Sequence, residues 1–533
     1  MSVLEAVGWQ SWVVHFLIAF PVLGGALVGT LGRARAKEWA LAIAAIEFLV
    51  SAPLWFAFNP GLAGMQFAAD VPWIPQWGIH YRVGIDGISL LLVLLTTALA
   101  PLVVLGSFRY ITKREPLFYG MMLVLQSGII GVFVALDLFL FFVFWEIMLV
   151  PMYFIIGLWG GERRIYAAIK FFLYTALGSL LMLVGILYLF FRYRGLTGDL
   201  SFAYADLLSV PLTFGEQYWL FAVFALAFAI KVPVFPFHTW LPDAHVEAPT
   251  PGSVVLAAVL LKLGAYGFLR FLLPFFPQAV THPGIVGAIM VLGLAGITYG
   301  ALVAAVQPDA KKLIAYTSVA HMGFVVLGIF ALTLRGLQGA MIVMLSHGLS
   351  TGAMFLLVGM LYERRHTRLI ADFGGLAAVA PVFATVFVFT ALASIGLPGT
   401  SGFVGEFLAL VGTFETHPWV AIVGATGVIF AAYYILPMVQ RIWFNALDRD
   451  ENRSVPDLSR REMLVLAPLV AGMIWMGFYP RPFLERMESS LTELITSVEE
   501  RSAPVMPTAL AVPPGARQGE AGARRSTGGG ADH

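Results

Sequence analysis

Apolar runs of about 20 residues recur from one end of this 533-residue chain to the other, and few folds accept that pattern. Each run is long enough to cross a bilayer as a helix. A soluble chain of this length would show polar-faced helices or alternating strands. With 59% of its residues hydrophobic and 12% charged, the expected class is an all-α polytopic membrane protein, because a segment in lipid must satisfy its own backbone groups. The runs suggest fourteen transmembrane spans, near 11–32, 38–58, 85–108, 117–136, 138–159, 168–191, 217–237, 252–274, 283–306, 312–332, 338–361, 379–414, 418–440 and 462–480.

Loops after odd-numbered spans hold 18 Lys and Arg, among them Arg109, Lys113, Arg163, Lys311, Lys312 and Arg364, against five after even-numbered spans. The positive-inside rule then puts the odd loops in the cytoplasm and both termini on the other side. The chain lacks cysteine, so thiolate-held iron–sulfur clusters and disulfides are excluded. No Gly-rich phosphate loop follows a strand, and no basic cluster suggests nucleic acid. The N-terminus does not read as a cleaved signal peptide. After the last span, Phe483, Met487, Leu491, Leu494, Ile495 and Val498 recur at helical spacing among Glu and Arg, which predicts an amphipathic surface helix. Residues 502–533, rich in Pro, Gly, Ala and Arg, are expected to be disordered.

Four charges fall inside spans. Glu146 interrupts "LFLFFVFWEIMLVPMYFIIGLW", Lys231 "FALAFAIKVPVFPFH", Lys262 "SVVLAAVLLKLGAYGFL" and Glu406 "ASIGLPGTSGFVGEFLAL". Their summed insertion penalty is about 10 kcal/mol. Two Glu and two Lys also allow static ion pairing, but that cost favours a working role. Two of these spans are broken as well. Pro233 and Pro236 lack amide hydrogens, which should leave the carbonyls of Ala229 and Val232 without helical partners. Gly396, Pro398, Gly399 and Gly402 crowd the twelfth span, where no regular helix is comfortable. Irregular backbone at membrane depth persists only against protein or a water-filled cavity, and paired interrupted spans point to an ion path. His321 and His347 lie well inside spans ten and eleven, and His238 follows span seven, ahead of Asp243, His245 and Glu247. Neutral imidazole both donates and accepts, and titrates near physiological pH. The histidine spacing does not suit zinc, so no metal site is expected.

The chemistry these groups suggest is proton relay. A desolvated lysine gives up its proton more readily, and a nearby carboxylate reverses that. Shifting the carboxylate therefore switches the lysine between holding and releasing.

The strings "FFVFWEIMLVPMYFIIGLWGG", "KVPVFPFHTWLPDAHVEAPTPGSVVLAAVLLKLGAYGFLRF", "QPDAKKLIAYTSVAHMGF" and "GLPGTSGFVGEF" resemble the chain M family of the proton-pumping NADH–quinone oxidoreductase, respiratory complex I, over roughly residues 5–500. The resemblance implies two inverted five-helix repeats, each with one broken helix. Divisions then fall at 1–115, 116–275 (first repeat), 276–446 (second repeat), 447–500 and 501–533. It implies Glu146 and Lys231 as a coupling pair, Lys262 as central relay and Glu406 as terminal site. His238, His321 and His347 would line the hydrated path. No cofactor would be held here: NADH, FMN, iron–sulfur clusters and quinone would sit on partner subunits. Partners would be the other membrane subunits, especially chains L and N, in a prokaryotic inner (plasma) membrane. Chains L and N, and the large subunits of multi-subunit sodium/proton antiporters, share the repeat. They usually place Lys where Glu406 stands, and chain L adds a long lateral helix missing here. The alternative is a subunit of a cation/proton antiporter or a membrane-bound hydrogenase built on the same module.

Overall fold

The computed structural model describes residues 8–30 and 33–502, apart from the side chains of 33–34. The expected disordered tail beyond 502 lies outside the described residues. The chain begins with α1 (Trp9–Thr30), α2 (Arg33–Ser51, with a further turn at Leu54–Ala57), α3 (Gly87–Ser107) and α4 (Glu115–Val134). There follow α5 (Leu138–Ile147), α6 (Leu149–Trp159), α7 (Arg164–Thr197), α8 (Phe214–Lys231), α9 (Trp240–Glu247) and α10 (Thr250–Phe275). The rest comprises α11 (Pro283–Ala305), α12 (Ala310–Phe330), α13 (Leu334–Arg365), α14 (Pro381–Ile395), α15 (Ser401–Thr416), α16 (Pro418–Phe444), α17 (Arg460–Phe478) and α18 (Arg481–Ser502).

Short polar residues set the helix starts. Asp137 accepts from the amides of Phe139 and Leu140 to open α5. Asp86 with Ser89, Thr213 with Glu216 and Ser459 with Glu462 form capping boxes at α3, α8 and α17, each satisfying amides that the first turn leaves free.

Among the described residues, twelve helices are long and apolar enough to cross a membrane, where the runs suggested fourteen spans. The difference falls on the seventh and twelfth. α8 opens on the polar Gly215, Glu216 and Gln217 and stops at Lys231. The twelfth is divided into α14 and α15. The fifth is also divided, at Met148, between α5 and α6. Its cause is Pro151, whose missing amide leaves the carbonyl of Ile147 without its helical partner.

One element departs from the all-helical expectation. β1 (Gln66–Ile74) and β2 (Ile79–Ile85) form an antiparallel hairpin with Asp70 opposite Arg82 and Val71 opposite Tyr81. Gly78 turns it at φ 65°, where a Cβ would stand 2.0 Å from the Leu200 carbonyl. Asp70 accepts from Arg82 at 2.8 Å and is bonded to His80 at 2.6 Å. Partial burial raises its pKa, but these bonds outweigh that and hold the carboxyl below its usual range.

Helices α10, α12 and α13 form the axis of the bundle, buried over 94% of their most apolar stretch against 39% for α7 and α11. α18 lies across one end. Phe483, Met487, Leu491, Leu494 and Val498 face inward, and Arg486 donates to the Trp55 carbonyl while covering its ring at 3.7 Å.

Candidate proton pathway

Proline chemistry places Lys231. Pro233 cannot donate to Ala229, so the amide of Val234 shifts back one residue and bonds the Ala229 carbonyl at 2.8 Å. That frees the Ile230 carbonyl, which the indole of Trp240 takes at 2.8 Å. The Ala229 carbonyl is therefore not left alone, contrary to the sequence expectation. Turns run from Val232 to Thr239 before α9 begins, and Lys231 ends α8 at 2% exposure. Among the described residues its Nζ has no hydrogen-bond partner. It sits 5.0 Å over the Trp145 ring, whose chain neighbour is Glu146. Oε1 of Glu146 is also without a partner, and its charge acts on Lys231.

Lys262 is fully buried in α10. The helix widens to five-residue (π) turns over Leu256–Leu260 and again over Phe268–Leu272. Nζ donates to the Ala257 carbonyl, inside the first widened segment, at 2.5 Å and to Nδ1 of His347 at 2.8 Å. When Lys262 is charged it donates in that bond, which places the proton of neutral His347 on Nε2, a nitrogen without a partner among the described residues. The His347 ring meets the His321 ring edge-on, centroids 5.8 Å apart. Nδ1 of His321 bonds Oε1 of Glu406 at 2.7 Å. Thus α10, α13, α12 and α15 contribute one connected series: Lys262, His347, His321, Glu406.

The break between α14 and α15 serves Glu406. Gly396 takes φ 83°, and a Cβ there would stand 3.1 Å from Oε2 of Glu406. Gly399 also has a left-handed φ, 89°. Pro398 lies between the two glycines in the break. A small cavity between His321, His347 and Glu406 is lined also by Ser346, Ser350 and Ser394. Ser346 is also bonded to Ser401 at 2.7 Å.

His238 stands apart from this series. It lies among the turns after Pro236, packs on Phe235 and Tyr299, and leaves Nδ1 without a partner. His245 comes closer, and the sequence reading did not single it out. It is fully buried at the end of α9, stacked on Phe355 at 4.7 Å, with both ring nitrogens unpartnered. The charges of Lys311 and Lys262 both act on it. Lys311 in turn donates to the Ala248 carbonyl at 2.5 Å and borders a polar opening lined by Arg163, Glu247, Asp309, His366 and Arg368. The sequence signal was present: a histidine between a broken helix and a buried lysine.

Residues 135–431 match the family described as NADH:quinone oxidoreductase/Mrp antiporter, TM. The chain is 47% identical to NADH-quinone oxidoreductase subunit M of Rhodobacter capsulatus, over 91% of this chain and 96% of that one. It is 44% identical to the subunit of the same name in Escherichia coli K12, over 90% and 97%. Among solved structures it resembles a chain of respiratory complex I from Thermus thermophilus with bound NADH, with TM-score 0.82 and 35% identity over 91% of this chain and 99% of that chain. A chain of the Mrp complex from Dietzia shares the fold, with TM-score 0.77 at 22% identity over 92% of this chain and 55% of that one.

Proposed function

Given that the chain belongs to the NADH:quinone oxidoreductase/Mrp antiporter transmembrane family, we propose that protons cross it from Lys311 past His245 and along Lys262, His347, His321 and Glu406, driven by the pair Glu146 and Lys231. The chain is a proton-translocating membrane subunit of NADH–quinone oxidoreductase, working with the other membrane subunits of that assembly. The observation that carries the route is the buried series from Lys262 through two imidazoles to Glu406 across four helices.

In this reading Glu146 and Lys231 form the coupling pair. A contact with a neighbouring subunit that shifts Glu146 changes how firmly Lys231 holds its proton. Moving one charge against 100 mV takes roughly 2.3 kcal/mol, and a two-unit pKa change supplies roughly 2.7 kcal/mol. One switched pair therefore suffices for one proton. Protons enter from the opening at Lys311 and reach Lys262 past His245. Lys262 passes them through His347 to His321, which delivers them to Glu406. His238 lines the turns beside Lys231. We place the Arg- and Lys-rich loops in the cytoplasm, both termini across the membrane, and NADH, FMN, iron–sulfur clusters and quinone on partner subunits. The two broken-helix segments belong to two inverted repeats, 116–275 and 276–446.

The test uses the whole parent complex in vesicles, with and without sodium. Glu146→Gln or Lys231→Ala should abolish proton uptake while the complex still assembles. Normal uptake in either variant sinks the route, and uptake that requires sodium replaces the carried ion.

A further inference from the structure

Glu47 is a fifth charge-bearing residue at membrane depth, and the route above does not use it. It lies in α2 and is fully buried. Its surroundings differ in kind from those of Glu146 and Glu406. Glu406 faces an imidazole and Glu146 acts on a lysine. Among the described residues Glu47 has one hydrogen-bond partner, the neutral amide of Gln126 from α4, whose Nε2 donates to Oε2 at 2.7 Å. Oε1 has no partner, and among the described residues no charged side chain acts on Glu47. The polar groups nearby are neutral and mostly occupied with each other. Ser51, one turn along α2, donates to Thr97 at 2.7 Å, and Ser127, beside Gln126, donates to the Ile18 carbonyl at 2.6 Å.

An ionised carboxylate offers about four acceptor positions, and this one would have a single donor and no countercharge. Such a group in a low-dielectric interior neutralises rather than stays charged. From this geometry we propose that Glu47 keeps a resident proton on Oε1, as a neutral carboxylic acid, and stands outside the transport route. A cavity next to Gln126 supports that separation. Gln126 and Thr96 line a cavity toward α10, but the remaining wall is Leu, Ile, Val, Ala and Met, including Val255, Ala258 and Val259 just ahead of Lys262. An ordered water needs two to four polar partners, and the wall of this cavity toward Lys262 offers none, so the cavity does not connect the Glu47 proton to Lys262. Glu47 is a fixed proton-binding site that ties α2 to α4.

The experiment compares the purified parent complex, wild type and Glu47→Gln, by infrared spectroscopy, with glutamate carrying carboxyl-labelled carbon to assign the band. The variant should lose one C=O stretch of a protonated carboxyl, and its proton translocation per electron should equal wild type. Gln126→Leu should keep that band and move it to higher wavenumber, because Oε2 loses its donor. Loss of ionised-carboxylate stretches instead, or loss of translocation to the level of Glu146→Gln, overturns the proposal. If Glu146→Gln itself translocates normally, the transport route fails while the infrared band still decides the state of Glu47.

Discussion

Pro233 removes one amide hydrogen, and two hydrogen bonds rearrange around that loss. Val234 moves to the Ala229 carbonyl, and the Trp240 indole reaches back to the abandoned Ile230 carbonyl. Lys231, flanked by these two repairs, keeps a defined place at the end of α8 without any partner for its ammonium. Trp240 thus sets the backbone that presents the lysine. Trp240→Phe retains an aromatic ring against Phe171, now 5.4 Å away between centroids, but removes the indole donor. A buried carbonyl left alone costs about 1–3 kcal/mol. The expected outcome is a lower thermal inactivation temperature of the assembled complex, together with slower proton uptake because the Lys231 backbone loosens. A melting curve and uptake rate equal to wild type would show that the indole bond does not hold the break.

At the scale of elements, the break between α14 and α15 works through glycine. Gly396 adopts φ 83°, a conformation that costs other residues about 1–2 kcal/mol, and it lies against the Glu406 carboxylate. Gly396→Ala should therefore lower stability by about 1–2 kcal/mol and also displace Oε2, reducing proton uptake. Gly29→Ala, where an added methyl meets nothing within 4 Å, is the matched control and should change neither measurement. Equal behaviour of the two variants would remove Gly396 from any role at Glu406. The break was legible in the sequence because Gly and Pro cluster there, and the helices were legible because lipid forces long apolar runs. Other features were not. The β1–β2 hairpin was hidden because Pro72, Trp73 and Pro75 blur its alternation. The divided fifth helix was overlooked because Pro151 sits four residues after the carbonyl it strands. Glu47 was passed over because one carboxyl barely lowers the hydropathy of its run, and only the structure reveals that it has no countercharge. The pairing of His321 with Glu406 and of Lys262 with His347 joins residues 85 positions apart in each case, and no local pattern encodes which helices meet.

At the scale of the whole molecule, α18 acts as a strap across segments distant in the chain. Arg486 bonds the Trp55 carbonyl, Ser489 the Pro60 carbonyl, and Arg501 the carbonyls of Leu208 and Pro274. At Gly87, the first residue of α3, the amide donates to Ser490 at 3.0 Å, and a Cβ would stand 2.3 Å from the Arg486 carbonyl. That approach is possible only without a side chain, so one methyl tests the strap without touching the interior. Gly87→Ala must push α18 away or strain the start of α3, at about 1–3 kcal/mol. The buried series from Lys262 to Glu406 uses α10, α12, α13 and α15 and makes no hydrogen bond to α18. The expected outcome is therefore split: faster proteolytic cleavage in the connection between α17 and α18 and a lower inactivation temperature, with proton uptake per assembled complex unchanged. If cleavage and melting match wild type, α18 is not held by its contact at Gly87. If uptake falls in step with stability, the strap and the interior path are mechanically one unit, and the separation of roles between them is wrong.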